Sequence, residues 1–137
     1  MHTGEELNPS EILKTAKSIL LIDWPDKSVP LALLNAGFNV FCYSPEGYTK
    51  AELKASGAEK SHLAFQDMAN LPGDIDIVNV YRPEEELPGI IQNNVIPLGA
   101  KVLWLHPPLI SEPAKGLAAK HNLVLIQGFN IVELAGK

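Results

Sequence analysis

Ile19-Leu20-Leu21-Ile22-Asp23-Trp24-Pro25-Asp26-Lys27-Ser28-Val29-Pro30 is the stretch whose reading decides the fold. Four apolar residues run into an acid, a tryptophan, a proline and a second acid, and a helical pattern then begins. A continuous apolar run of this length fits a strand buried on both faces. In nucleotide-binding α/β proteins, glycines at the strand-to-helix corner that follows let a phosphate approach the backbone. This corner contains no glycine. It is either a binding corner of different chemistry or only the first turn of the fold.

Outward from that corner, short apolar runs alternate with amphipathic segments, the pattern of βαβ units and a parallel sheet. Upstream, Asn8-Pro9-Ser10-Glu11 marks a helix start, with Ser10 as N-cap and Ile12, Leu13 and Ala16 on the apolar face. Strands are predicted over 18–23 and 39–43, joined by a helix over 28–36 that Gly37 closes. Ser44-Pro45-Glu46-Gly47 stops the second strand. Residues 49–56 read as a short helix closed by Gly57, 62–65 as a short extended piece and 66–70 as one helical turn. Residues 75–81 form a strand of mixed polarity. Pro83 and the acids Glu84, Glu85 and Glu86 then suit the N-terminus of a helix reaching about Val95. A strand over 101–106, a helix over 112–121 and a last strand over 123–127 complete the reading. The fold class is α/β, a three-layer Rossmann-like sandwich whose mainly parallel sheet has five strands, with six as the alternative.

The 137 residues suggest one domain spanning 1–137, and a hydrophobic content of 46% suffices for a core. A net charge of −5 argues against coating nucleic acid, which depends on basic residues neutralising phosphates. The single cysteine, Cys42, permits no internal disulfide and reads as an inert core thiol. Residues 1–7 carry no export signal and no apolar run spans a bilayer, so the expectation is a soluble cytoplasmic domain with no membrane partner.

In an open α/β sheet, ligands bind beyond the carboxyl ends of the strands, where strand order reverses. Four such ends carry polar, aromatic and proline residues: Asp23, Trp24, Pro25, Asp26 and Lys27; Ser44 and Pro45; Tyr81, Arg82 and Pro83; His106, Pro107 and Pro108. Arg82 suits bidentate phosphate binding and suits pairing with Glu84 or Glu85 equally well. Tyr81 and Trp24 can stack on a base, although aromatics at strand ends more often pack as core margin. Asp23 suits a loop amide or a ribose hydroxyl, while Asp26 and Ser28 are better placed to cap the next helix. Lys27 suits a phosphate or is solvated surface. His106 is a candidate donor to a ligand, and as the one histidine near this rim it does not suggest a metal site. No nucleophile elbow, P-loop or zinc-protease motif is present, so the residues favour a binding module over an enzyme.

Ile75-Asp76-Ile77-Val78-Asn79-Val80-Tyr81-Arg82-Pro83-Glu84, followed by Gly99-Ala100-Lys101-Val102-Leu103-Trp104-Leu105, resembles the small stand-alone CoA-binding-domain family. That family is related to the CoA-binding domain of succinyl-CoA synthetases. The resemblance runs from about residue 10 to 127. It implies a Rossmann-like fold and binding of CoA or another nucleotide without established catalysis. It places the phosphate corner at Asp23–Lys27, further contacts at Ser44, Pro45, Tyr81 and Arg82, and a last contact at His106. Asp23-Trp24-Pro25 stands where the family has a Gly-x-Ser loop, and Ser44 where it has asparagine. The resulting expectation is a non-catalytic binder of CoA or a related nucleotide-containing ligand whose first corner receives a diphosphate poorly. The alternatives are a family member turned protein-interaction or regulatory module, or a small acyl-handling enzyme using His106.

Overall fold

A computed structural model of the chain describes residues 9–26, 28–44, 49–55, 63–67 and 74–135. Along the chain these form α1 (Pro9–Thr15), β1 (Ser18–Ile22), α2 (Ser28–Asn35), β2 (Asn39–Ser44), β3 (Thr49–Ala55), β4 (Leu63–Asp67) and β5 (Ile77–Val80). A 3₁₀ turn (Glu84–Glu86) then leads into α3 (Leu87–Ile90) and a π turn (Ile91–Val95). After them come β6 (Val102–Leu105), α4 (Glu112–Lys120), β7 (Val124–Ile126) and α5 (Ile131–Ala135).

The strands make one sheet in the order β4-β3-β2-β1-β5-β6-β7. Neighbours from β2 to β7 pair in parallel, and β3 and β4 add an antiparallel extension at one edge. Residues two apart in a strand share a face, and the core divides accordingly. Ile19 and Leu21 of β1 and Val102 and Trp104 of β6 join Ile12, Leu13, Val29, Leu33 and Ile131, beneath α1, α2 and α5. Leu20, Ile22, Leu103 and Leu105 face the other way, onto Leu87, Ile90, Ile91, Val95 and Ala114. Helices therefore cover both faces, the Rossmann-like sandwich that the apolar runs predict.

The sheet is wider than expected, because residues 49–55 are a strand where a helix is predicted. Ala, Glu, Leu and Lys favour helix. The order Lys50-Ala51-Glu52-Leu53-Lys54-Ala55 nevertheless alternates polar and apolar with period two, and β3 pairs Val40 with Leu53 and Cys42 with Ala51. Strand patterning and a waiting sheet edge outweigh local propensity here. Gln66 and Asp67 belong to β4 and not to a helical turn, and residues 68–70 and Gly57 lie outside the described residues. Ser10 falls inside the first turn of α1, which starts at Pro9, so it is not the cap.

The helix expected from Pro83 to Val95 is broken into three geometries. Pro88 has no N–H for the fourth carbonyl back, and the Leu87 amide bonds Glu84 in a tighter turn. Further on, the Ile96 amide bonds Ile91 five residues back, at 3.0 Å. Gly37 closes α2 as expected, with φ of 103°. The terminal helix α5, absent from the sequence reading, is capped by Asn130, whose Oδ1 accepts the Val132 amide at 2.9 Å. Among the described residues no helix is long and apolar enough to cross a membrane.

Candidate functional site

From β1 the chain moves outward to β2, and on its return it places β5 on the other side of β1. The order therefore reverses between β1 and β5, the place where open α/β sheets receive ligands. The ladder continues one residue past each strand around this point. The Asp23 amide donates to the Tyr43 carbonyl at 2.8 Å, the Tyr81 amide to Ile22 at 2.9 Å and the His106 amide to Val80 at 2.9 Å. Three strand ends are thereby held level. Asp23, Tyr81, Arg82, Pro83, His106, Pro108 and Leu109 line a cleft of about 410 Å³ above them.

Asp23 turns the chain out of the sheet with φ of 62°, a left-handed conformation uncommon outside glycine, asparagine and aspartate. Its Oδ1 accepts the amide of Trp24 at 3.0 Å, and its Oδ2 accepts Arg82 Nη1 at 3.0 Å. The other edge of the guanidinium meets Glu86, with Nε 3.0 Å from Oε1 and Nη2 2.7 Å from Oε2. Among the described residues Arg82 thus pairs with Glu86 and Asp23, and not with the Glu84 or Glu85 expected. The spacing from 82 to 86 lets a fork-shaped guanidinium meet a carboxylate side-on.

His106 is almost fully buried at the end of β6, and Asn79 is buried inside β5. Asn79 Nδ2 lies 3.3 Å from His106 Nδ1. Burial holds the imidazole below its ordinary pKa, while the Asp26 carboxylate pulls the other way. With Asn79 Nδ2 donating to Nδ1, a neutral ring carries its own proton on Nε2. The Tyr81 ring stands edge-on to His106, centroids 5.7 Å apart at 84°, and Tyr81 remains 37% exposed.

The remaining predicted positions divide differently. Trp24 packs on the core beneath α1, α2 and α5, the core-margin role. Pro25 and Asp26 are exposed. Asp26 Oδ1 accepts the Ser28 amide at 2.8 Å and the Ser28 hydroxyl, and these two bonds are the main reason its carboxyl titrates below the ordinary range. That is the capping role foreseen for it at α2. Lys27 and Pro45 lie outside the described residues, and Ser44 is described only as the last residue of β2.

Asn79, Glu86 and Leu109 join the site without having been expected there. A lone asparagine amid Ile77, Val78 and Val80 was the available signal for the first, since such a residue in a central strand needs a polar partner.

A family model for the CoA binding domain matches residues 24–134. The chain belongs to the CoA binding domain family. The uncharacterized protein YneT of Bacillus subtilis (strain 168) is 31% identical to this CoA binding domain over 118 residues, 78% of this chain and 80% of YneT. Several solved structures share the fold, two of which illustrate it. One is that of cell-free ID.343 from Thermus thermophilus, at a TM-score of 0.68 and 19% identity, covering 93% of this chain and 96% of its own. The other is a hypothetical protein from Pyrococcus horikoshii OT3, at a TM-score of 0.66 and 16% identity, covering 98% and 94%. Family membership supports a CoA-binding role in general terms.

Proposed function

We propose that this CoA binding domain binds CoA or a related nucleotide-containing ligand, without catalysing a reaction, in the cleft formed by Asp23, Tyr81, Arg82 and His106. The observation that carries this reading is the convergence of three strand ends, around the reversal of strand order, on one cleft. A volume of about 410 Å³ is within the range of small-molecule pockets but takes only part of a ligand as long as CoA, so the remainder lies along the rim. Tyr81 offers exposed aromatic surface to a flat group, and His106 offers a donor.

Isothermal titration of the protein with CoA, acetyl-CoA, NAD and ATP tests the proposal. CoA is expected to give saturable heat, weakened about tenfold or more in Tyr81→Ala if the base or another flat group stacks there. No heat from any of the four at millimolar concentration rules out the nucleotide reading. A protein that co-purifies stoichiometrically, in the absence of any such heat, would assign the domain to protein interaction instead.

A further inference from the structure

At a strand-to-helix corner beside the reversal of strand order, an anionic ligand ordinarily meets backbone amides and a basic side chain. In this chain the basic side chain is present, but its cleft side is taken. Arg82 and Asp23 both line the cleft, and the Asp23 carboxylate holds Nη1 of the guanidinium. Glu86 grips the opposite edge and lines a neighbouring pocket with Tyr43, Gly89 and Asn93. Among the described residues, one cation between two carboxylates leaves this end of the cleft with net negative charge. His106, which also lines it, is neutral and offers no offsetting charge.

We propose that Asp23 is a specificity-determining residue whose carboxylate occupies the seat on Arg82 that a ligand phosphate would take, so that this end of the cleft selects neutral groups over phosphate. The inference rests on the reading of the cleft as a nucleotide-type site and specifies which part of the ligand meets its first corner. A phosphate approaching Arg82 must either displace Asp23 or lie beside it, and both routes carry like-charge repulsion in a partly desolvated site. A neutral amide or hydroxyl faces no such cost and finds acceptors in Asp23 and a donor in His106. The left-handed backbone of Asp23 aims the carboxylate at Arg82 and simultaneously at the Trp24 amide, so the seat is filled by the fold itself.

The test compares wild type, Asp23→Asn and Glu86→Gln for affinity to CoA, ADP and adenosine by calorimetry. Asparagine keeps the size of Asp23, an oxygen for the Trp24 amide and tolerance of positive φ, so this variant is expected to fold. Glu86→Gln removes the same charge from the far edge of Arg82 and controls for general electrostatics. The expected result is that Asp23→Asn binds ADP and CoA about tenfold tighter or more, a gain larger than any change in adenosine affinity and larger than the gain from Glu86→Gln. Equal ADP affinity in wild type and Asp23→Asn overturns the proposal, as does an equal gain from Glu86→Gln. If wild type binds CoA and Asp23→Asn gains nothing, only the role of Asp23 falls. If only Asp23→Asn binds a nucleotide, the role of Asp23 stands and the native protein is not a nucleotide binder. Absence of binding in both at millimolar concentration overturns both.

Discussion

Asn79 and His106 meet through Nδ2 and Nδ1 at 3.3 Å, a buried polar pair on adjacent strands directly beneath the cleft. Burial holds His106 below its ordinary pKa of 6.5, so the folded protein resists a proton that the unfolded chain accepts. The sign follows from linkage: where the unfolded state binds more protons, stability rises with pH. The contribution of His106 is therefore complete above 6.5, is lost as pH falls towards the folded-state pKa, and levels off below it. Melting temperatures measured from about pH 8 to about pH 5 should decline more steeply in wild type than in His106→Gln. The other three histidines are common to both proteins, so coincident slopes would assign the pH dependence elsewhere.

Trp104 is fully buried and donates from Nε1 to the carbonyl of Phe129 at 2.9 Å, just ahead of the Asn130 cap of α5. Trp104→Phe removes the donor, orphans a partly buried carbonyl and leaves a void. A loss of about 1–3 kcal/mol is expected in urea unfolding. Amide exchange at residues 131–135 should accelerate in the same variant. Unchanged exchange there would mean that packing alone seats α5.

Cys42 lies within β2 against the core beneath α1 and α2, and burial pushes its thiol up to about 12. The thiolate is the reactive species, so a disulfide reagent at about pH 8 should leave the native protein unmodified. One thiol per chain should react once denaturant is added. Rapid modification of the native protein would show that β2 opens readily.

The sheet's central strands were legible because parallel strands buried on both faces need unbroken apolar runs, and Ile19–Ile22 and Val102–Leu105 supply them. The convergence of Asp23, Tyr81, Arg82 and His106 was legible for the same reason, since topology fixes where strand ends lie. Residues 49–55 misled because their composition favours helix while their alternation favours strand, and only the open edge of β2 decides between them. Helix α5 was missed because five residues have too few turns to show a period, and its cap and the Trp104 anchor come from tertiary structure. The partners of Arg82 were beyond reach for two different reasons. Glu86 was one of three consecutive acids whose register depends on the 3₁₀ turn, and Asp23 is 59 residues away. Contacts of that range leave no local trace in a single sequence.

The antiparallel pair β3–β4 at one side of the sheet and the short β7 at the other do more than widen it. With β2 and β7 as their outer neighbours, β1, β5 and β6 are hydrogen-bonded on both flanks, and β3–β4 moves the open edge on the β2 side further away. Fraying begins where strands have one neighbour, and cooperative opening reaches doubly paired strands last. The three corners that carry the cleft therefore hang from the part of the molecule that stays closed longest. A cleft suspended in this way has its backbone fixed in advance, and any adjustment falls to the side chains of Tyr81, Arg82 and Asp23.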